Sequence, residues 1–257
     1  MAVEGTQALR RVLSVLKCFT DEGATAYTLS DIVSRTALTP PTAHRMLKVL
    51  VAEGFLLKDD SAATYRLGPV VDRLARQVLR TNNPQEFLLA AAPLLEELRA
   101  QSGETVGLHC RVGLERLCLA ELESPQPIRM ATGVGRVHPL HAGAAGKVLL
   151  AWAGDRLPPQ LTDDTLVKLT EHTITSRPEL ISELERIRAQ GYATSVGEVA
   201  DGAAALAAPV LGATGTAVAA LYVTGPLFRL TETRIKELIP DVLRTARALQ
   251  SRLDPRS

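Results

Sequence analysis

The stretch that decides the fold of the first part of this chain runs from Thr28 to Gly54 and reads TLSDIVSRTALTPPTAHRMLKVLVAEG. Thr28 stands three residues before Asp31, which is the spacing of a capping box at a helix start. A second start follows at Thr39, because the two prolines after it suit first-turn positions, where N–H groups have no intrahelical partner. The glycine at the end is typical of a helix terminus. The stretch therefore predicts two short helices joined by a tight turn.

The second predicted helix has one apolar side and one cationic side. Its apolar residues recur at helical spacing and form an inward stripe of Ala43, Met46, Leu47 and Leu50. At about 100° per residue, the opposite side carries Arg45 and Lys48. A narrow cationic face of this kind fits the major groove of DNA, where either residue can address guanine or a phosphate. The candidate DNA-binding residues of this helix are Thr39, Thr42, His44, Arg45 and Lys48.

A further helix is predicted before these two. Residues 7–19 carry apolar side chains at helical spacing. We expect this helix to pack behind the two short helices, so that Arg10 and Arg11 near its start reach a backbone phosphate of bound DNA.

A two-stranded wing is predicted after the second short helix. Two β-prone runs, 55–58 and 64–67, surround a polar turn. The basic residues of the wing, Lys58 and Arg66, join the candidate DNA-binding set. Residues 1–68 are therefore predicted to form a winged helix-turn-helix domain.

Two other interpretations of the basic face stay open. It can belong to an ordinary helical hairpin whose basic residues are only solvated, or to a winged helix used solely for protein interaction. Residues 1–68 contain eight Lys or Arg and seven Asp or Glu, so this domain has no general excess of positive charge. DNA binding then depends on where the cations point, and a dimer doubles each phosphate contact. A steep salt dependence of DNA affinity would separate DNA binding from both alternatives.

The whole chain has the composition of a soluble globular protein. Its 257 residues are 46% hydrophobic and 22% charged, with a formal net charge of +1, and this length gives room for two domains. The sequence has neither the pattern of an export leader nor an apolar run of about 20 residues, so we expect a cytoplasmic protein without a membrane span. Three cysteines without CxxC spacing argue against a disulfide framework.

Residues 69–83 are predicted to form a linker helix, and residues 84–257 a second domain. Asn83 and Pro84 suit the start of a long helix that ends near Ser102. Beyond it, β-prone segments and helical patterns indicate an α+β domain. The predicted strands are 104–111, 114–121, 127–132, 191–196, 203–208 and 217–223. The predicted helices are 142–152, 162–170, 178–190 and 231–253.

Three motifs in this second domain carry a resemblance to a known family. They are PLHAGAAGKVLLAW from Pro139 to Trp152, GYATSVGEVADG from Gly191 to Gly202, and ALYVTGP from Ala220 to Pro226. Together with the winged helix-turn-helix, they resemble the IclR family of bacterial transcription regulators. The resemblance implies a homodimer, often paired into a homotetramer, that binds a palindromic DNA operator and represses or activates transcription. It also implies a C-terminal GAF-like domain that binds a small effector, often a carboxylate.

The resemblance assigns candidate effector-binding residues. They are Met130 on a strand, Ala144 and Ala145 at a helix start, Ser195, Ala203 and Ala205 in and after the second motif, and Tyr222 and Thr224 in the third. The small residues from Ala142 to Gly146 leave first-turn N–H groups and the positive end of the helix dipole open to an anion. A carboxylate would then dock there without an arginine. The alternative is that these small residues only permit close packing of the helix start against the sheet.

The sequence departs from the family pattern at several positions. Ser195 stands where carboxylate-binding relatives often have an acidic residue, Ala205 where some have cysteine, and Tyr222 where a small hydroxyl residue is common. We therefore expect a less acidic pocket whose phenol stacks on an effector or hydrogen-bonds it. On the DNA side, Pro40 and Pro41 stand where the family commonly has Lys or Ser.

A GAF-like enzyme or metal-binding protein, whose winged helix serves only protein interaction, is the main alternative from another class. The candidate ligands are His109, Cys110, Cys118, His138 and His141. The only close pair is His138-x-x-His141, and neither a carboxylate nor a cysteine lies beside it at zinc-type spacing. A nucleophile beside a base is also missing. We therefore expect no metal, no cofactor and no catalytic residue.

Overall fold

The computed structural model describes residues 6–20, 24–71, 73–74, 84–154 and 157–253. The chain divides into two compact units between Pro84 and Gln85. Residues 69–71 and 73–74 are helical, and the rest of the predicted linker helix, with the proposed cap Asn83, lies outside the described residues. None of the helices in these ranges combines the length and apolarity needed to cross a membrane.

Besides the helical residues 69–71 and 73–74, the described part of the first unit contains three α-helices and three short strands. In chain order they are α1 (Gln7–Lys17), β1 (Tyr27–Thr28), α2 (Leu29–Thr36), α3 (Pro40–Ala52), β2 (Leu56–Asp59) and β3 (Thr64–Leu67). The predicted capping box is confirmed, since Asp31 N donates to Thr28 Oγ1 at 3.2 Å and Thr28 N donates to Asp31 Oδ2 at 2.8 Å. Helix α2 ends where Ala37 adopts a left-handed conformation, with φ 53°, which turns the chain toward α3.

The core of the first unit confirms the apolar stripe predicted for α3. The buried side chains of α3 are Ala43, Met46, Leu47 and Leu50. They face Val15 of α1, Ile32 of α2 and Leu56 of β2, which are fully buried in the same unit. Burying one side of α3 leaves its opposite side for other contacts.

The wing has three strands rather than the predicted two. Strands β2 and β3 pair around the polar turn, and β1 adds to the other edge of β3, which gives the order β1-β3-β2. The sequence does not reveal β1, because two residues are too short to show an alternating pattern. The buried Tyr27 of β1 pairs with the buried Tyr65 of β3 and ties the wing to the start of α2.

The described part of the second unit has four α-helices and one six-stranded sheet. In chain order its elements are α4 (Pro84–Ser102), β4 (Thr105–Val112), β5 (Glu115–Leu122), β6 (Val137–Pro139), α5 (Ala144–Ala151), α6 (Arg177–Gln190), β7 (Ala193–Val196), β8 (Ala203–Leu211), β9 (Ala217–Pro226) and α7 (Glu232–Ser251). The strand order is β6-β5-β4-β9-β8-β7, and neighbouring strands run antiparallel. The mixed helix and strand architecture predicted for this part of the chain is confirmed.

Helices cover both faces of this sheet. One core joins α4 and α7 to one face, and the other joins α5 and α6 to the opposite face. Strand β9 shows the alternation, because Leu221 and Val223 belong to the first core while Ala220 and Tyr222 belong to the second. The predicted ligand positions on β9 therefore lie on the α5 side of the sheet.

The strand predicted at 127–132 is wrong. These residues form irregular chain, so Met130 does not lie on a strand. The Glu121 carboxylate of β5 holds the end of this segment by accepting the N–H groups of Thr132 at 2.7 Å and Gly133 at 2.9 Å. A distant side chain therefore satisfies backbone donors that a strand partner would otherwise bond.

The helix predicted at 162–170 is also wrong. Only a short 3-10 turn, Asp163–Thr165, is present there. The Thr173 hydroxyl accepts the N–H groups of Leu169 at 3.1 Å and Thr170 at 2.9 Å. Such side-chain bonds compete with helical backbone bonds, which explains why the apolar spacing alone misleads here.

Candidate functional site

The outer face of α3 is open to solvent in the first unit. His44, Arg45 and Lys48 are exposed, and Thr42 is half-buried at the start of the helix. Within the described part of the chain, Arg45 and Lys48 have no carboxylate partner at ion-pair distance. The Thr39 hydroxyl donates to Thr42 Oγ1 at 2.9 Å, so these two side chains order each other at the helix start.

A groove of about 470 Å³ runs beside this helix start. Arg10 and Arg11 of α1 line it together with Thr39 and Thr42. The structure thus brings the predicted α1 arginines and the start of α3 to one surface. These groups are donors suited to phosphate oxygens.

The two predicted basic residues of the wing differ in their surroundings. Lys58 Nζ pairs with Asp60 Oδ1 at 2.5 Å, and this hydrogen bond and charge raise the pKa of Lys58. Arg66 is exposed on β3. The ion pair leaves Lys58 less free than Arg66 to meet a phosphate.

The second unit contains a cavity of about 120 Å³ on the α5 side of the sheet. All of the predicted effector-binding residues line it, although they come from four separate parts of the chain. They are Met130, Ala144, Ala145, Ser195, Ala203, Ala205, Tyr222 and Thr224. The antiparallel pairing of β7, β8 and β9 sets Ser195 opposite Ala205 and Ala205 opposite Thr224.

The start of α5 is less open than predicted. The N–H of Gly143 donates to Glu198 Oε2 at 3.1 Å, so a protein carboxylate already occupies one donor of the helix start. Lys147 Nζ in turn binds Glu198 Oε1 at 2.5 Å and Glu183 Oε1 at 3.0 Å. Ala144 and Ala145, whose first-turn N–H groups have no partner within the helix, line the cavity next to it.

The prediction of an anion site at the α5 start did not include an arginine, but Arg116 of β5 lines the same cavity. Its side chain is 4% exposed. One terminal nitrogen, Nη1, donates to the carbonyl oxygens of Ala142 at 3.2 Å and Pro139 at 3.5 Å. Burial lowers the pKa of Arg116 to about 10, so the guanidinium stays charged at neutral pH. The cavity therefore has a strongly positive wall.

His109 of β4 forms another polar part of the cavity wall. The side chain is 1% exposed, and neither ring nitrogen has a hydrogen-bond partner within the described residues. Burial, with smaller contributions from the charges of Arg116 and His138, lowers the pKa of His109 to about 2. The ring is therefore neutral at physiological pH, with one donor and one acceptor nitrogen.

The phenol hydroxyl of Tyr222 already forms hydrogen bonds within the protein. Its hydroxyl donates to Glu121 Oε2 at 2.6 Å and lies 2.7 Å from Thr132 Oγ1. The ring stacks on His109 with centroids 4.6 Å apart and an interplanar angle of 17°. Burial raises the pKa of Tyr222 well above its usual value. The expected hydrogen bond from this phenol to an effector is therefore replaced by a bond that fixes the 132–133 segment.

The two histidines of the predicted close pair bond different carbonyl groups. His138 Nε2 donates to the carbonyl of Thr132 at 3.0 Å, and His141 Nε2 donates to that of Val167 at 3.0 Å. Across the described ranges, His, Cys, Asp and Glu form no group of three or more that could hold a metal ion. His138 lines the cavity as a wall residue.

Arg116, Glu121 and Glu198 were not predicted to be site residues, and His109 was predicted only as a candidate metal ligand. A signal for Arg116 existed in β5, where alternate positions place it on the same face as Cys118, and both are buried. Glu198 lies inside the second of the quoted motifs, three residues after Ser195. Their roles depend on contacts between distant segments, which the sequence does not display.

Comparisons with known proteins agree with the two-unit organisation. A family model of the IclR helix-turn-helix domain matches residues 8–60, and one described as bacterial transcriptional regulator IclR C-terminal matches residues 83–251. The chain is 32% identical to the HTH-type transcriptional regulator BhcR of Paracoccus denitrificans, over 98% of this chain and 89% of that protein. It is also 32% identical to the HTH-type transcriptional repressor AllR of Escherichia coli K12, over 95% of this chain and 90% of that one.

Solved structures of IclR proteins are similar to this chain along most of its length. An IclR homolog from Microbacterium hydrocarbonoxydans, solved in complex with 4-hydroxybenzoate, is 27% identical with a TM-score of 0.75, and the match covers 96% of this chain and 99% of that one. The IclR of Thermotoga maritima is 26% identical with a TM-score of 0.66, over 96% of this chain and 99% of that one.

Proposed function

This chain belongs to the IclR family of bacterial transcriptional regulators, and we propose how its two units divide the regulatory work. It is a DNA-binding transcription regulator with a C-terminal domain that binds a small-molecule effector. In our proposal residues 1–68 bind the operator, residues 69–83 form a linker helix, and residues 84–257 form the GAF-like effector-binding and oligomerisation domain. Action on operator DNA assigns the protein to the cytoplasm.

The observation that carries the DNA-binding assignment is the outer face of α3. Arg45 and Lys48 are exposed there without a carboxylate partner among the described residues, while the opposite side of α3 is buried. A helix in the major groove presents this combination of a packed side and a cationic side. We assign base-edge contacts to His44, Arg45 and Lys48 and contacts at the helix start to Thr39 and Thr42.

Phosphate contacts are assigned to the surrounding basic residues. Arg10 and Arg11 share a groove with the start of α3, which supports their contact with a phosphate next to the major groove. Arg66 and Lys58 on the wing supply the remaining contacts, with Lys58 first giving up its bond to Asp60. Such contacts hold the protein in register on DNA and carry no sequence information directly.

The test of this assignment is the salt dependence of binding to a duplex selected by the full-length protein from a random pool. If cations of both monomers neutralise phosphates, the logarithm of the affinity falls linearly with the logarithm of salt concentration, with a slope of roughly −0.9 per phosphate. A slope near zero would mean that the winged helix does not bind DNA through this face.

The effector is assigned to the cavity beside α5. The wall contains the helix start at Ala144 and Ala145 and the buried guanidinium of Arg116, which both favour a negatively charged ligand. We propose a carboxylic acid, and the 4-hydroxybenzoate complex of the Microbacterium hydrocarbonoxydans relative supports an aromatic acid as one form of it. The other assigned wall residues are Met130, Ser195, Ala203, Ala205, Tyr222 and Thr224.

A thermal-shift screen of small and aromatic carboxylic acids tests the effector site. An acid that binds only the folded protein raises its melting temperature. The rise should be lost in Ser195→Ala and Tyr222→Ala variants, since both residues line the cavity. Retention of the full shift in both variants would place the binding site elsewhere.

The active form is proposed to be a homodimer that can pair into a tetramer. Two large apolar side chains of α1, Leu9 and Leu13, are 58% and 46% exposed, which supports burial of this helix against a second copy. Light scattering on the purified chain tests the proposal, and a monomer at micromolar concentration would contradict it.

A further inference from the structure

The guanidinium of Arg116 has one edge in use and one edge free. Nη1 binds the carbonyl oxygens of Ala142 and Pro139. Nε is buried and has no hydrogen-bond partner among the residues that the structure describes. Nη2 points toward Gly143, where an added Cβ would lie 3.4 Å from it. The free edge, formed by Nε and Nη2, is the pair of parallel donors that binds a carboxylate in bidentate fashion.

No carboxylate of the described residues forms an ion pair with this buried charge. Among the described residues, no Asp or Glu oxygen lies within ion-pair distance of Arg116. Glu198 is the acidic group that acts on it through space, but its oxygens bind Lys147 and the N–H of Gly143 instead. A buried ion without a partner costs several kcal/mol, so the folded unit gains when an anion enters the cavity.

His109 adds a second unsatisfied group to the same wall. A buried polar group without a partner is costly, and both ring nitrogens of His109 lack one within the described chain. Because the ring is neutral, it can donate to an oxo or hydroxyl oxygen or accept from a hydroxyl. A carboxylate alone would leave this group unsatisfied.

The cavity volume limits the size of the ligand. A cavity of about 150 Å³ holds benzene, and this one measures about 120 Å³. A molecule with about four to six non-hydrogen atoms therefore fills it. Larger aromatic acids require the wall to move.

We infer that Arg116 binds the effector's carboxylate through its Nε–Nη2 edge and that His109 hydrogen-bonds a second oxygen of the same ligand. This inference rests on the proposed effector site and specifies its chemistry. The N–H groups of Ala144 and Ala145 lie in the same cavity wall and add positive potential at the carboxylate.

Three small molecules of nearly equal size separate the contribution of the ligand's carboxylate to binding from that of its second oxygen. Glycolate has a carboxylate and a hydroxyl group, acetate has the carboxylate only, and acetamide has neither a charge nor the hydroxyl group. The melting temperature of the full-length protein should rise most with glycolate, less with acetate and not at all with acetamide. Equal shifts for acetate and acetamide, or no shift with either carboxylate, would overturn the inference.

Variants assign each contribution to its residue. Arg116→Gln should lower the affinity for both carboxylates by at least about tenfold, since a charge-assisted hydrogen bond is lost. His109→Phe keeps the stacked ring but should reduce glycolate binding to the level of acetate. Arg111→Gln, on an exposed arginine of β4 that pairs with Arg116 across the sheet, is the matched control and should bind like the wild type.

If Arg116→Gln does not fold, Arg116→Lys replaces it in the test. The lysine keeps a positive charge and a donor for the carbonyl groups, but it lacks the two parallel donors of the Nε–Nη2 edge. Full carboxylate affinity in Arg116→Lys would contradict the inference. The proposed function is tested separately from this inference. If carboxylates bind through Arg116 but do not change the affinity for the operator, control of DNA binding by the effector is refuted and the role of Arg116 is not. An acid that still changes the operator affinity of the Arg116→Gln variant would refute only the role of Arg116 in binding the acid.

Discussion

At the scale of single residues, Lys147 connects three parts of the second unit. Its ammonium group, on a side chain 2% exposed, joins α5 to Glu183 of α6 and to Glu198 in the segment after β7. Glu198 in turn caps the start of α5 through Gly143. One buried cation therefore holds the helix start that forms part of the cavity wall.

Replacement of Lys147 by methionine should be strongly destabilising. The change leaves the buried carboxylate of Glu198 without its cation, whereas Glu183 keeps its ion pair with Arg186. Removing one partner of a buried ion pair typically costs about 3–5 kcal/mol of unfolding free energy. Urea unfolding of the full-length protein measures the loss. Lys168→Met is the matched control, because Lys168 pairs with the exposed Glu171 on the surface and should contribute little. Similar losses in the two variants would contradict the proposed role of the buried network.

His109 should make the stability of the protein depend on pH. Its pKa is about 2 in the folded state and about 6.5 in the unfolded chain, so below pH 6.5 the unfolded state binds more protons. This stabilising contribution is complete above pH 6.5 and declines as the pH falls toward 2. At pH 5 it should have fallen by about 2 kcal/mol.

The measurement is the free energy of unfolding at pH 7 and pH 5 for the wild type and His109→Phe. The wild type should lose about 2 kcal/mol more than the variant over this interval. The other buried histidines are present in both proteins and cancel in the comparison. Parallel pH profiles would show that His109 is not held neutral by burial.

The candidate site was predictable at the residue scale only in part. The quoted motifs predict Ala144, Ser195 and Tyr222, and the structure brings these residues to one cavity. The alternation of β5 sets Arg116 on the same buried face as Cys118, but it does not show whether a buried charge there has a partner. Burial and the lack of a partner become visible only when the strands are assembled.

At the scale of secondary structure elements, α3 is the element whose function depends most on one exposed face. Arg45→Ala should abolish specific operator binding, because each monomer loses a contact of about 1–3 kcal/mol and a dimer loses it twice. Fluorescence anisotropy with a selected duplex measures the effect. The control is Lys17→Ala, an exposed cation of α1 outside the proposed interface. Retained operator affinity in Arg45→Ala would refute the choice of this face.

The elements themselves show which sequence signals are reliable. Helices α2 and α3 were predictable because capping, proline position and apolar spacing agree. The segments 127–132 and 162–170 differ from their predictions because side chains such as Glu121 and Thr173 bond backbone groups there. The spacing of apolar residues carries no information about hydrogen bonds between side chains and backbone groups.

At the scale of the whole molecule, a dimer fixes the distance between two recognition helices. We predict that the selected operator contains two half-sites whose centres lie about one DNA turn, roughly 34 Å, or a multiple of it apart. Insertion of about five base pairs between them should weaken binding by at least about tenfold, because the second half-site rotates to the opposite side of the duplex. Equal affinity for both spacings would contradict a dimer with fixed spacing.

The most direct test of effector-controlled DNA binding is the operator dissociation constant of the full-length protein, with and without a saturating short-chain acid. The acid to use is the one with the largest thermal shift. We predict a change of at least about fivefold in either direction, and the operator duplex should change the affinity for the acid by the same factor, because coupling is reciprocal. An operator affinity that stays constant at saturating acid would contradict control of DNA binding through the cavity.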